Sequence, residues 1–155
     1  MYKQHLTKEQ AHQKAKHYCA YQERCHSEVK EKLYGFGLRK SEVEELLSKL
    51  IEEDYLNEER FAVQFTGGRF RMKQWGRVKI KYELKQKQVS EYIIRKALKT
   101  IDEDDYLTTL QKLFNQKLQQ LSSEKNIFIK KRKLRDYLLQ KGYETPLITE
   151  LLKNK

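Results

Sequence analysis

Three leucines set the register of this chain. Laid over one another, Leu33, Leu84 and Leu138 bring Val29, Ile80 and Leu134 together four residues earlier. They also bring Leu38, Val89 and Tyr143 together five residues later, and Val43, Ile94 and Ile148 ten later. Leu46, Ala97 and Leu151 fall at thirteen, and Leu47, Leu98 and Leu152 at fourteen. Apolar positions at −4, 0, +10, +13 and +14 describe two helices joined by a short turn, because residues four apart share one side of a helix. The period is 51 and then 54 residues, a repeat length that accommodates three helices. The predicted fold class is therefore all-α: three tandem three-helix repeats, at 1–54, 55–101 and 102–155. A unit of about 50 residues has a marginal core, so neighbouring units are expected to stack. Stacking in line would give an elongated body, curved if each unit turns against the last.

This comparison overrules a local signal. Val78 to Lys85 alternates apolar and basic residues as a half-buried strand does. A strand would not keep the apolar i, i+4 pair in all three copies, so the segment is predicted to be helical. Ile80 and Leu84 then belong to the core, and Val78 and Tyr82 lie at its margin. Elsewhere, Thr7 and Gln10 read as a capping box for a helix running to about Tyr21, and Ser27 and Ser41 as caps of the next two. Asn57 is read as the start of a fourth helix, with Phe61, Phe65 and Met72 along one side. Gly67 and Gly68 inside it are read as a kink or a place of close backbone approach. Leu107, Leu110, Leu113, Phe114, Leu118 and Leu121 form the predicted apolar face of the third unit's first helix. Acids from Asp102 to Asp105 suit its N-terminal dipole, and Pro146 suits a first helical turn.

Charge is distributed in blocks. The formal net charge is +11, yet Glu42 to Glu59 carries eight acids against Lys49 alone. Arg69 to Lys87 carries eight basic residues against Glu83 alone, and a second basic run, Lys130 to Lys133 with Arg135, follows later. Such blocks point to an anionic partner. The candidate contacts are Arg69, Arg71, Lys73, Arg77, Lys79 and Lys81, then Lys130, Lys131, Arg132, Lys133 and Arg135. Lys30 and Lys32 occupy the matching places in the first unit and read as solvated. Trp75, the only tryptophan, and Tyr82 are the candidates for base stacking. Reversing the charges of Arg77, Lys79 and Lys81 is expected to leave the fold intact, whereas Leu84→Asp should unfold its unit.

Other chemistry is weakly encoded. No apolar run reaches the roughly 20 residues that span a bilayer, and the first ten residues lack a signal-peptide core. With two cysteines and no disulfide framework, a reducing cytoplasm is expected. His17, Cys19, Cys25 and His26 match no usual zinc spacing. Glu52, Glu53, Asp54, Glu58 and Glu59 read as a solvated turn and helix caps. Gly67-Gly68 is followed by Arg69-Phe70, unlike a phosphate-binding loop. No nucleophile–base pair is evident, so neither an enzyme, a cofactor nor a metal is expected.

The order of motifs resembles the RecX family, bacterial regulators of the RecA recombinase. The first unit carries Leu6-Thr7-Lys8-Glu9-Gln10-Ala11, then Arg24, Ser27, Glu28 and Lys32-Leu33. The second carries Asp54-Tyr55-Leu56-Asn57-Glu58-Glu59-Arg60-Phe61-Ala62, then Gly76, Arg77, Lys79-Ile80, Glu83-Leu84 and Ala97-Leu98. The third matches by apolar spacing. Cys25-His26 replaces a usually more basic pair, and Lys87-Gln88-Val89 stands where the family has Lys-Gly-Ile. The resemblance implies a cytoplasmic monomer that binds the groove of a RecA–single-stranded DNA filament, touching RecA, DNA or both. It further implies restraint of RecA's ATPase, coprotease and strand-exchange activities in DNA repair and the SOS response. Two other readings stand beside it: a helical-repeat protein acting directly on single- or double-stranded DNA, and a scaffold whose basic edge meets another acidic protein.

Overall fold

A computed structural model describes residues 5–153. Nine α-helices and no strands are found among them: α1 Lys8–Tyr21, α2 His26–Gly35, α3 Lys40–Glu52, α4 Glu58–Lys73, α5 Arg77–Gln86, α6 Glu91–Leu98, α7 Glu103–Gln120, α8 Ile127–Lys141 and α9 Thr145–Lys153. The segment with strand-like alternation is α5, with Ile80 and Leu84 fully buried and Val78 and Tyr82 more than half exposed. The residues superimposed on Leu33, Leu84 and Leu138 at −4, +5 and +10 are buried in all three copies. Four residues beyond each anchor, Gly37, Gln88 and Gly142 have φ of +86°, +64° and +98°. Every copy thus closes its second helix with a left-handed residue, and in one copy that residue carries a Cβ.

By contacts the chain divides into two compact units. One runs to Gln64 and takes in Leu84–Lys96; the other holds Phe65–Glu83 and the chain from Ala97. In the first, α1 presents Ala11, Ala15 and Cys19 to Val29 and Leu33 of α2 and to Val43, Leu46 and Leu50 of α3. Phe36, Leu38 and Leu56 complete this core. Thr7 and Gln10 form the expected reciprocal cap, each at 3.1 Å. Asn57 Oδ1 accepts from the Arg60 backbone N–H, as a helix-starting asparagine should.

Two caps differ from expectation. Helix α2 starts two residues earlier than a Ser27 cap requires: Cys25 precedes it, and the Glu28 carboxylate accepts from the Cys25 backbone N–H. Ser27 Oγ instead donates to the Lys87 carbonyl at 2.9 Å. Likewise Arg39 precedes α3, Glu42 accepts from its N–H, and Ser41 lies inside the first turn. In both places the glutamate three residues in captures a backbone N–H without help from a hydroxyl.

The second unit is built on aromatic rings. Tyr106 of α7 is fully buried between Phe70 of α4 and Tyr143, with ring centroids 5.8 and 5.1 Å away. Leu110, Leu113 and Phe114 continue the buried face of α7; Leu134 and Leu138 are buried on α8, which packs against both α7 and α9, and Ile148 is buried on α9. The face differs from expectation at its first turn, where Tyr106 is fully buried and Leu107 is 41% exposed. The same correction applies to α4, where Phe70 is buried and Met72 is 86% exposed.

The glycines of this unit have unlike reasons. Helix α4 runs through Gly67 and Gly68, and neither meets a foreign backbone: a Cβ on Gly67 would meet only the Arg71 guanidinium, and one on Gly68 nothing. Gly76 is the crowded one. A Cβ there would collide with the backbone of Gly142 and Tyr143. Gly76 N–H donates to the Lys141 carbonyl at 2.8 Å and Val78 N–H to that of Gly142 at 2.9 Å.

Opposite outcomes are expected at neighbouring glycines. Gly76→Ala should cost about 1–3 kcal/mol by overpacking against backbone. Gly68→Ala should stabilise by up to about 1 kcal/mol, since it fills open space within a helix. Urea unfolding of the two variants measures both. By the same assay Gln88→Gly should gain about 0.5–1 kcal/mol, because it removes a Cβ from a left-handed position.

Candidate functional site

The basic residues singled out in the sequence separate into groups with different surroundings. Arg77 opens α5 and is held on three sides. Its guanidinium lies 3.9 Å from the Tyr106 ring centroid, pairs with Glu144 through Nε at 2.9 Å, and reaches Glu103 through Nη1 at 3.1 Å. Its backbone N–H donates to Tyr106 Oη at 2.9 Å, and that hydroxyl donates in turn to Glu144. Arg77 is thus neutralised inside the fold and has little left for an outside anion. Against the expectation from sequence, reversing its charge should disturb the fold, since two carboxylates would then face a third.

Around Trp75 the arrangement is the reverse. Helix α4 closes on Gln74, whose φ is +57°, and Trp75 N–H donates back to the Arg69 carbonyl. This brings the half-buried indole beside the last turns of α4 and the first turn of α5. Lys79 Nζ lies 4.5 Å from the indole centroid, Arg69 Cζ 5.6 Å and Lys73 Nζ 5.8 Å. Arg69 also covers the Phe65 ring at 4.4 Å. Lys141 Nζ donates to the Lys73 carbonyl at 3.2 Å, adding a cation that no sequence pattern had singled out. Arg71 is exposed on the other side of α4, over Gly67. Lys81 is partly buried one turn beyond Arg77, and Tyr82 is 61% exposed on the outer side of α5.

The second basic run lies on α8, which Asn126 caps by accepting from the N–H groups of Phe128 and Ile129. Leu134 and Leu138 face the core, so Lys130 and Lys131 are partly buried and Arg132, Lys133 and Arg135 are exposed. Lys133 approaches Glu124 at 3.8 Å. Arg132 and Arg135 share a side of the helix with Phe128, 81% exposed, and Leu139, 42% exposed. The 128, 132, 135, 139 spacing was present in the sequence as a helical stripe, but Phe128 was not picked out by it.

No group of three His, Cys, Asp or Glu side chains suited to a metal ion occurs among the described residues. Cys19 and Cys25 are buried, and burial pushes both thiols above their usual range. No helix among the described residues is long and apolar enough to cross a membrane.

These features define an all-α protein of three-helix units that displays a set of exposed cations. The model of the second three-helix domain of RecX matches residues 57–98, and that of the third matches 103–152. Regulatory protein RecX of Chlorobium limicola is 32% identical over 133 residues, which are 83% of this chain and 80% of that protein. The chain belongs to the RecX family. Regulatory protein RecX of Bacillus cytotoxicus is 30% identical over 141 residues, 90% of this chain but 52% of that protein. That of Clostridium perfringens is 35% identical over 118 residues, 76% of this chain and 55% of the relative. The chain thus spans about half the length of these two relatives. Among solved structures, RecX from Lactobacillus salivarius superimposes with a TM-score of 0.86 at 22% identity over 95% of both chains, a likeness of fold.

The aromatic core sets an alkaline limit. Burial, and then the bond to Glu144, raise the Tyr106 hydroxyl well above its usual pKa; burial does the same for Tyr143, with the Glu144 charge adding to it. Unfolded tyrosines ionise near pH 10, so above that pH the unfolded state binds fewer protons than the folded one and stability falls. The expected loss is up to about 1.4 kcal/mol per pH unit for each tyrosine, fully absent below pH 10. Unfolding measured between pH 9 and 11 should show a shallower fall for Tyr106→Phe and Tyr143→Phe than for the wild type.

Proposed function

We propose that this chain binds the filament that RecA forms on single-stranded DNA, docks in its groove as a monomer, and restrains its ATPase, coprotease and strand-exchange activities. Membership of a family of regulatory proteins supports RecA as the partner. What supports a direct contact is the division of the basic residues: Arg77 is engaged by acids of its own fold. Arg71, Arg132 and Arg135 are exposed, with no such pairing among the described residues. Lys130 and Lys131 flank the α8 stripe and extend the same positive field. Phosphate and acidic protein surface are both suited to such guanidinium groups, which bind carboxylate and phosphate through a planar fork. The protein would act in the cytoplasm, as part of DNA repair and the SOS response.

The test is the ATPase of RecA on single-stranded DNA with this chain added up to stoichiometric amounts. The rate is expected to fall severalfold. Arg132→Glu with Arg135→Glu should abolish that effect while thermal unfolding stays unchanged, because exposed substitutions of this kind move stability by only about 0.5 kcal/mol. An unaltered ATPase favours the second reading, a protein that binds DNA on its own. Its affinity would then fall steeply with salt, with a logarithmic slope of about −0.7 per phosphate neutralised on a single strand.

A further inference from the structure

Three cations gather on one indole. Arg69, Lys73 and Lys79 all lie within 6 Å of the Trp75 ring centroid, and none of them forms an ion pair among the described residues. The contrast is with Arg77, two residues beyond Trp75, where two carboxylates complete the neutralisation. An aromatic face attracts cations through its quadrupole but carries no net charge, so the cluster stays at +3. Lys141, bonded to the Lys73 carbonyl, increases the local positive potential. Like charges gathered on one ring raise one another's energy, and an anion from outside relieves that.

We propose that Arg69, Lys73 and Lys79 form a clamp for the phosphodiester backbone of a nucleic-acid strand, with Trp75 holding the cations in place and not stacking on bases. Arg69 and Lys73 lie about one helical turn apart on α4, and Lys79 approaches from α5. That spread suits successive phosphates of a strand better than convergence on a single small anion. With three cations within 6 Å of its centroid and the indole half-buried, the ring is a poor platform for a base. The inference deepens the proposed function by naming the ligand chemistry of one part of its contact surface, and it does not itself require RecA.

Trp75 is the only tryptophan, so its fluorescence reports on this cluster alone. The full chain is titrated with a thymidine oligonucleotide, with an abasic deoxyribose-phosphate oligomer of equal length, and with inorganic pyrophosphate. A saturable change of similar size and midpoint is expected with both oligomers, with a much weaker one for pyrophosphate at equal phosphate concentration. Lys73→Gln with Lys79→Gln should raise the midpoint about tenfold and lower the salt slope by about 1.4, because two fewer phosphates are then neutralised. Lys79→Arg in place of Lys79→Gln should restore most of the affinity. A response to the thymidine oligomer but not to the abasic one overturns the clamp in favour of base stacking. A response to pyrophosphate equal to that of the abasic oligomer overturns the strand assignment, and an unchanged signal with every probe overturns the site. If RecA ATPase is restrained while the titrations are silent, this inference fails and the proposed function stands. If the titrations succeed and RecA is unaffected, the reverse holds.

Discussion

The second unit depends on how closely two backbones meet at Gly76 and Gly142. Only a residue without a Cβ lets the Gly76 and Val78 N–H groups reach the carbonyls of Lys141 and Gly142. Those bonds satisfy donors at the start of α5 that no preceding helical turn can serve. Once they form, Arg77 is carried over the Tyr106 ring, between Glu103 and Glu144, and the Tyr106 hydroxyl takes its N–H. Tyr143 Oη then donates to the Gln74 carbonyl at 2.9 Å. Each of these contacts fixes the same short stretch, 74–78, from which α5 departs. The direction of α5, and with it the position of Lys79 beside Trp75, follows from that closure.

The basic residues have separate duties here. Arg24, Arg60 and Arg77, the arginines by which the sequence resembles its family, are all engaged within the fold. Arg24 lies 3.8 Å from the Tyr18 ring centroid and donates to the Tyr18 carbonyl. Arg60 joins Glu23 to Asp54, and Arg77 joins Glu103 to Glu144. A planar guanidinium presents five donors in a rigid fork and can stack flat on a ring while it bridges two acceptors. The residues of recognisable sequence are thus mainly those that hold the helices together. Exposed cations such as Lys73, Arg132 and Arg135 belong to less distinctive positions.

This explains what could be read from the sequence. The helical period was legible because Leu33, Leu84 and Leu138, with their partners, are core residues, and core burial repeats wherever the fold repeats. It was strong enough to overrule the strand-like alternation of Val78 to Lys85. The face of α7 was harder, since Tyr106 has a polar end and its burial depends on Arg77 and Glu144, residues 29 and 38 positions away. Ser27 and Ser41 resemble caps of α2 and α3, but Glu28 and Glu42 take the N–H groups of Cys25 and Arg39 and set those helix starts earlier. Gln88 hid the second left-handed closure, which Gly37 and Gly142 make visible in the other copies. The basic runs marked the right neighbourhood but could not tell a paired cation from an unpaired one, because every acid that pairs Arg77 is distant in the chain.

That last distinction bears on how a partner is met. A guanidinium already fixed between two carboxylates must lose them before it can bind a phosphate, so it adds little affinity. A lysine resting on an aromatic ring gives up a weaker contact and keeps its full charge. Anchoring on the ring also limits the rotamers that binding would have to freeze, which lowers the entropic cost of contact. The Trp75 cluster therefore combines unneutralised charge with partial order, while the exposed arginines of α8 carry charge beside the exposed Phe128 and Leu139. A partner that offers only phosphates would prefer the first surface. One that offers an acidic protein face with apolar groups would prefer the second, and a filament made of both could use the two surfaces at once.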